Sequence, residues 1–174
     1  MPYRVMTVCT GNICRSPMAE SVLRRRFAEA GLGGEVVVDS SGISDEEDGN
    51  PVDRRARAVL ADAGYDVPDH RAHQVTAGEI ASRDLLLAMT ARHARWLRTH
   101  APDESSAARV VMYRSFDPAA PDVGAAGATA DESALDIADP WYGDRGDFVE
   151  ALAQIEAAAD GIVEHVRRDL ASRP

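Results

Sequence analysis

Arg4-Val5-Met6-Thr7-Val8-Cys9-Thr10-Gly11-Asn12-Ile13-Cys14-Arg15-Ser16-Pro17 is the stretch from which the fold can be read. Residues 4–10 are short, apolar and β-branched and run into Gly11-Asn12, the pattern of a buried strand that ends in a turn. Ser16-Pro17 then has the form of a helix start, a serine cap followed by proline at the first helical position. Ala19, Val22, Leu23, Phe27 and Ala30 line one face at helical spacing until Gly31 stops the helix. The unit is strand, glycine-containing loop, helix.

The alternation continues outward. Residues 35–40, with Val36-Val37-Val38, predict a second strand, and residues 51–63 an amphipathic helix carrying Val52, Ala56, Val59 and Leu60 with Gly64 behind it. Thr76-Ala77-Gly78-Glu79 has the form of a capping box opening a short helix. Residues 84–89 are an apolar strand, residues 91–99 a helix and residues 109–113 a fourth strand. Residues 117–138 are rich in Ala, Gly, Pro and Asp without periodicity and read as a long surface loop. A last helix is expected from about Asp147, where Phe148, Leu152, Ile155, Ala159, Ile162, Val166 and Leu170 recur every three or four residues. Strands alternating with helices predict an α/β fold: a parallel sheet with helices on both faces and ligands at the carboxyl ends of the strands, where Cys9 sits.

At 174 residues the chain suits one domain, expected to span residues 1–174. No apolar run approaches the ~20 residues of a membrane span, and the N-terminus lacks the charged head and cleavage site of a signal peptide, so a cytoplasmic protein is expected, with export left open. A net charge of -10 disfavours nucleic acid and anionic lipid as partners. The chain has no lysine, so all 19 of its basic residues are arginine, which excludes Schiff-base chemistry and lysine-dependent nucleotide loops. Its two cysteines, Cys9 and Cys14, make neither a disulfide framework nor a zinc site, and no metal or cofactor is expected.

Those cysteines need a local explanation, and the loop from Cys9 to Arg15 supplies one. Gly11 and Asn12 tolerate left-handed backbone angles, so successive amide N–H groups of Thr10, Gly11, Asn12, Ile13, Cys14 and Arg15 can turn inward, while the following helix adds its own N–H groups and positive dipole. Such a curl is an anion cup. Arg15 brings a planar fork of donors that matches two phosphate oxygens. Such a positive environment favours the thiolate of Cys9, so a useful fraction is expected at neutral pH, and a thiolate beneath a bound phosphate is a nucleophile aimed at phosphorus. Cys14, inside the same cup, is either a packed thiol or a partner able to trap an oxidised Cys9 as a disulfide.

Val8-Cys9-Thr10-Gly11-Asn12-Ile13-Cys14-Arg15-Ser16-Pro17-Met18-Ala19-Glu20 resembles the active-site signature of the low-molecular-weight protein tyrosine phosphatases, and Asp139-Pro140-Trp141-Tyr142-Gly143-Asp144 resembles that family's acid loop. The resemblance implies a flavodoxin-like, four-stranded parallel sheet and hydrolysis of phosphotyrosine on proteins, with phosphate or vanadate as inhibitors. It further implies Cys9 as nucleophile, Arg15 as phosphate clamp, Asp139 as general acid, Ser16 as hydrogen-bond donor to the Cys9 sulfur, and Asn12, Ser40 and His70 as supports behind the loop. An acid has a physical purpose here, because protonating the tyrosyl oxygen as the P–O bond breaks removes developing charge.

The chain also departs from the family's pattern. Glu46, within Asp45-Glu46-Glu47-Asp48, stands where an aromatic wall is usual, leaving Ile13, Trp141 and Tyr142 as the apolar sides of a pocket. The acidic run is either a solvated face or a rim that selects basic peptides. Trp141 replaces the usual tyrosine, Thr90 an aspartate and His73 an arginine. Similar folds reduce arsenate through further downstream cysteines, and this chain has none after Cys14. Others act on phosphoarginine with threonine in place of Ile13. A third alternative, a catalytically idle phosphoprotein-binding module, would not need Cys9, Arg15 and Asp139 together.

Overall fold

Four parallel strands form the centre of the molecule: β1 (Tyr3–Cys9), β2 (Val36–Gly42), β3 (Leu85–Ala88) and β4 (Val110–Met112), in the order β2-β1-β3-β4. The computed structural model describes residues 1–67, 69–124 and 131–173. Successive β1 side chains alternate between two cores. Val5 and Cys9 face α1 (Arg15–Glu29), α2 (Arg54–Asp62) and α6 (Arg145–Ser172), while Met6 and Val8 face α3 (Ala77–Ser82) and α4 (Ala91–His100). The architecture is the expected flavodoxin-like α/β sandwich. The strand order reverses between β1 and β3, and in such sheets the crevice at that reversal is where ligands bind. Cys9 ends β1 at this point, paired in register with Gly42 of β2.

Local sequence explains most boundaries. Gly31 and Gly64 follow α1 and α2 in the left-handed conformation, and the Thr76/Glu79 capping box forms with both of its hydrogen bonds. The α6 stripe of Phe148, Leu152, Ile155, Ala159, Ile162 and Val166 is buried, with Leu170 half-buried at its end. The helix begins two residues before Asp147, because Asp144 is its cap and Asp147 the returning arm of a second capping box.

Three expectations need correction. Ser16 does not cap α1: the helix begins at Arg15 behind Cys14, and no side chain caps it, leaving the Ser16 hydroxyl to other partners. A short helix, α5 (Glu104–Ala108), capped by Asp103, precedes β4 where no element was expected. The 117–138 segment is not wholly a surface loop. Residues 125–130 lie outside the described residues, but Glu132–Leu135 is a 3-10 turn, and Leu135 and Ile137 are buried. The Ile137 N–H donates to the Met89 carbonyl just beyond β3, 2.9 Å away. Among the described residues no helix is long and apolar enough to cross a membrane.

At Gly161 the backbone of α6 lies close against the Phe116 backbone, since a methyl there would overlap the Phe116 carbonyl oxygen. Alanine would gain about 1 kcal/mol of helix propensity, but overpacking against backbone costs about 1–3 kcal/mol. Gly161→Ala is therefore expected to be less stable on balance in urea denaturation; a variant as stable as the native protein would mean that α6 can shift away freely.

Candidate active site

The loop between β1 and α1 is built around Asn12, the only non-glycine residue at positive φ (61°) among the described residues. Its side-chain amide donates to Ser16 Oγ at 2.9 Å and Ser40 Oγ at 3.0 Å, and its Oδ1 accepts from the His73 N–H at 3.2 Å. Its carbonyl lies 2.6 Å from His70 Nε2, and because a carbonyl only accepts, Nε2 carries the imidazole hydrogen. Ser40 in turn donates to Glu20, which is paired with Arg24. Asn12 is thus fully buried behind the loop and does not line the cleft. Gly42 completes the support, since a Cβ there would stand 2.5 Å from the Thr10 carbonyl oxygen.

Within this frame Cys9 is buried, with its Sγ 3.0 Å from Ser16 Oγ. The Ser16 oxygen already accepts from Asn12, which leaves its own hydrogen free to donate to the sulfur. Burial, followed by the nearby Asp53 and Cys9, pushes the Cys14 thiol far above the ordinary range, so Cys14 is a packed thiol at rest. Thr10 Oγ1 lies 2.8 Å from Nε2 of the buried His93. Burial, then Arg15 and Arg92, push His93 down to about 3, which keeps its ring neutral beside the arginine.

Arg15 is buried as well. Its Nη1 donates to the Ile137 carbonyl at 2.8 Å, while its Nη2 lies 3.3 Å from Asp139 Oδ2. Its Nε has no partner among the described residues. Asp139 precedes the 3-10 turn Pro140–Tyr142, and its Oδ1 accepts from the Trp141 N–H at 3.1 Å. The carboxylate is therefore oriented by the backbone that follows it, and its other oxygen meets the guanidinium.

These groups open onto one cleft of about 120 Å³. Cys9, Thr10, Gly11, Ile13, Cys14 and Arg15 line it from the loop, Glu46 and Glu47 from the segment after β2, and Asp139, Trp141 and Tyr142 from the 3-10 turn. The Glu47 stem crosses Gly11, where a methyl would stand 3.0 Å from its Cγ. Asp45 and Asp48 are exposed and do not line the cleft. Trp141 is 41% and Tyr142 91% exposed, so both rings present free faces. Ser40 and His70 stay behind the loop with Asn12. Sequence reasoning missed the Ile137 carbonyl, whose only signal was one branched apolar residue in an Ala/Gly/Pro-rich run, and His93, a polar residue on the buried face of a helix.

The buried thiol of Cys9, the buried guanidinium of Arg15 and the half-exposed carboxylate of Asp139 thus line one cleft. Residues 4–172 match the family described as low molecular weight phosphotyrosine protein phosphatase. A low molecular weight protein-tyrosine-phosphatase of Streptomyces coelicolor is 46% identical, over 99% of each chain. The crystal structure of YfkJ from Bacillus subtilis superposes with a TM-score of 0.83 at 27% identity, over 97% of each chain. That of Vibrio vulnificus Wzb in complex with benzylphosphonate gives 0.74 at 28%, covering 94% of this chain and 98% of its own. The chain belongs to the low molecular weight phosphotyrosine protein phosphatase family.

The Asn12 network makes a prediction that does not depend on turnover. Asn12→Gly keeps the backbone freedom but loses the side-chain bonds, whereas Asn12→Ala loses both and carries about 1–2 kcal/mol of additional left-handed strain. Both variants should show faster hydrogen exchange at residues 10–15, and Asn12→Ala should be the less stable. Native-like exchange in Asn12→Gly would show that the bonds do not hold the loop.

Proposed function

We propose that this protein hydrolyses phosphotyrosine on proteins, and small aryl phosphates, through a cysteinyl-phosphate intermediate. The observation that carries this reading is the convergence of Cys9, Arg15 and Asp139 on one cleft, with Asp139 3.3 Å from the arginine that would bind the phosphate. With Nη1 tied to Ile137, Arg15 has Nε and Nη2 left as a two-pronged donor to phosphate oxygens. The amides of Thr10, Gly11, Ile13, Cys14 and Arg15 along the cleft take the remaining oxygens. The bound phosphate displaces Asp139 from Arg15 and leaves that carboxyl beside the ester oxygen.

The Cys9 thiolate then attacks phosphorus, forming the S–P bond as the P–O bond to the tyrosyl group breaks. Asp139, which takes up a proton when the substrate phosphate displaces it from Arg15, gives that proton to the departing oxygen. In the second half Asp139, now a carboxylate, takes a proton from water as that water attacks phosphorus. The S–P bond breaks, Ser16 donates to the departing sulfur, and inorganic phosphate leaves. Phosphate and vanadate should compete with substrate for the same cup. Ile13, Trp141 and Tyr142 flank the aromatic ring, and the carboxylates of Glu46 and Glu47 at the rim favour basic residues near the phosphotyrosine.

A peptide panel tests the whole reading. Phosphotyrosine peptides should be turned over and phosphoarginine peptides left intact. Basic flanks should be preferred several-fold at low salt, with the preference fading as salt screens the exposed charges. Cys9→Ser should retain phosphate binding and lose hydrolysis; turnover persisting beyond a trace in Cys9→Ser would end the mechanism. In Asp139→Asn, kcat/KM for aryl phosphates should fall by about 10²–10⁴, most steeply for the most basic leaving groups.

A further inference from the structure

Arg55, in the first turn of α2, does not line the cleft, yet it contacts the Asp139–Tyr142 loop directly and the Cys9–Arg15 loop through Asp53. Its Nη1 donates to the Trp141 carbonyl at 3.0 Å, and its guanidinium lies over the Trp141 ring at 5.1 Å and the Phe148 ring at 4.7 Å. Its Nε and Nη2 grip the two oxygens of Asp53 at 3.1 and 3.3 Å. The Asp53 N–H donates to the Ile13 carbonyl of the phosphate loop at 2.8 Å. A continuous path therefore runs from the nucleophile's loop through Asp53 and Arg55 to the acid loop.

We propose that Asp53 and Arg55 form a strut that sets the acid loop against the phosphate cup, making Arg55 a positioning residue for proton delivery by Asp139. This deepens the proposed function and rests on it. The Trp141 backbone is held on both sides of its Cα: its N–H donates to Asp139 Oδ1 and its carbonyl accepts from Arg55. Holding the carbonyl restricts the short turn whose N–H orients the carboxylate. A capping role alone would not need this geometry. Asp53 caps α2 through the Arg55 backbone N–H at 2.8 Å, and that bond is independent of where the guanidinium goes. The side chain instead crosses to a loop 86 residues further along the chain and lies over the Trp141 ring of that loop and the Phe148 ring of α6. Burial opposes ionisation of Asp53, but the side-chain and backbone hydrogen bonds from Arg55 outweigh it and hold the carboxyl below its ordinary value, so the strut stays charged at both members. Lysine has the charge but neither the planar fork nor the stacking surface to bind Asp53, the Trp141 carbonyl and two rings at once.

The test measures kcat/KM, which covers only the steps up to phosphoryl transfer to Cys9, for aryl phosphates of graded leaving-group basicity. Arg55→Lys, chosen to keep the fold, should lose about tenfold with the most basic leaving groups, a part of the ~10²–10⁴ that general acid help supplies. It should lose less than twofold with the best leaving group, and phosphate affinity should be unchanged. Arg55→Ala should deepen the same pattern, with urea denaturation confirming that it folds. Either change placed on Asp139→Asn should cause no further loss, because the carboxyl it positions is gone. A steep Asp139→Asn series beside a flat Arg55→Lys series, or losses that multiply in the double variant, would overturn the strut and leave the proposed function intact. A flat Asp139→Asn series would instead remove the acid reading and the strut with it.

Discussion

One backbone angle organises this site. Asn12 sits at φ 61°, a conformation that costs a residue with a side chain roughly 1–2 kcal/mol, and it is buried where an unsatisfied amide would cost about as much again. Hydrogen bonds from or to Ser16, Ser40, His70 and the His73 backbone offset both terms. Because the chain turns left-handed there, Cys9 and Arg15 come back to the same cleft. The network also ties the turn to chemistry. Asn12 occupies the Ser16 oxygen, which frees the Ser16 hydrogen for the Cys9 sulfur.

The sheet brings the remaining parts to that turn. β1 delivers Cys9 at the point where the strand order reverses, and its partner β2 ends in Gly42, whose missing side chain lets the strand lie against Thr10. The end of β3 receives Ile137 through the Met89 carbonyl, and Ile137 then fixes Arg15. Cys9, Arg15 and Asp139 therefore each answer to a different part of the fold. Each is held by backbone hydrogen bonds or by a buried polar partner, which limits how far it can drift from the others.

Much of this was legible in the sequence because it is local. The strand, loop and first helix follow from an apolar run, a Gly-Asn turn and one helical stripe, and the Thr76 capping box could be recognised from residues three apart. The reading of Ser16 as a helix cap failed for an instructive reason. A serine before proline has the form of a cap, but the pattern does not say whether its hydroxyl bonds its own helix or turns toward a neighbouring loop. α5 was too short for periodicity to reveal. Ile137 and Arg55 were illegible because their partners are remote: one meets Arg15 across 122 residues and the other meets Trp141 across 86.

A cup of amides and an arginine would bind phosphate whether or not any bond were broken, so the account rests on covalency at one sulfur. Rapid quenching of Asp139→Asn during turnover of an aryl phosphate with a good leaving group, followed by fragmentation mass spectrometry, tests it directly. Without the carboxylate to activate water, the intermediate should accumulate, and the phosphoryl group should be found on Cys9 and not on Cys14. Continued turnover with no phosphoryl adduct, or an adduct on any other residue, would contradict the account.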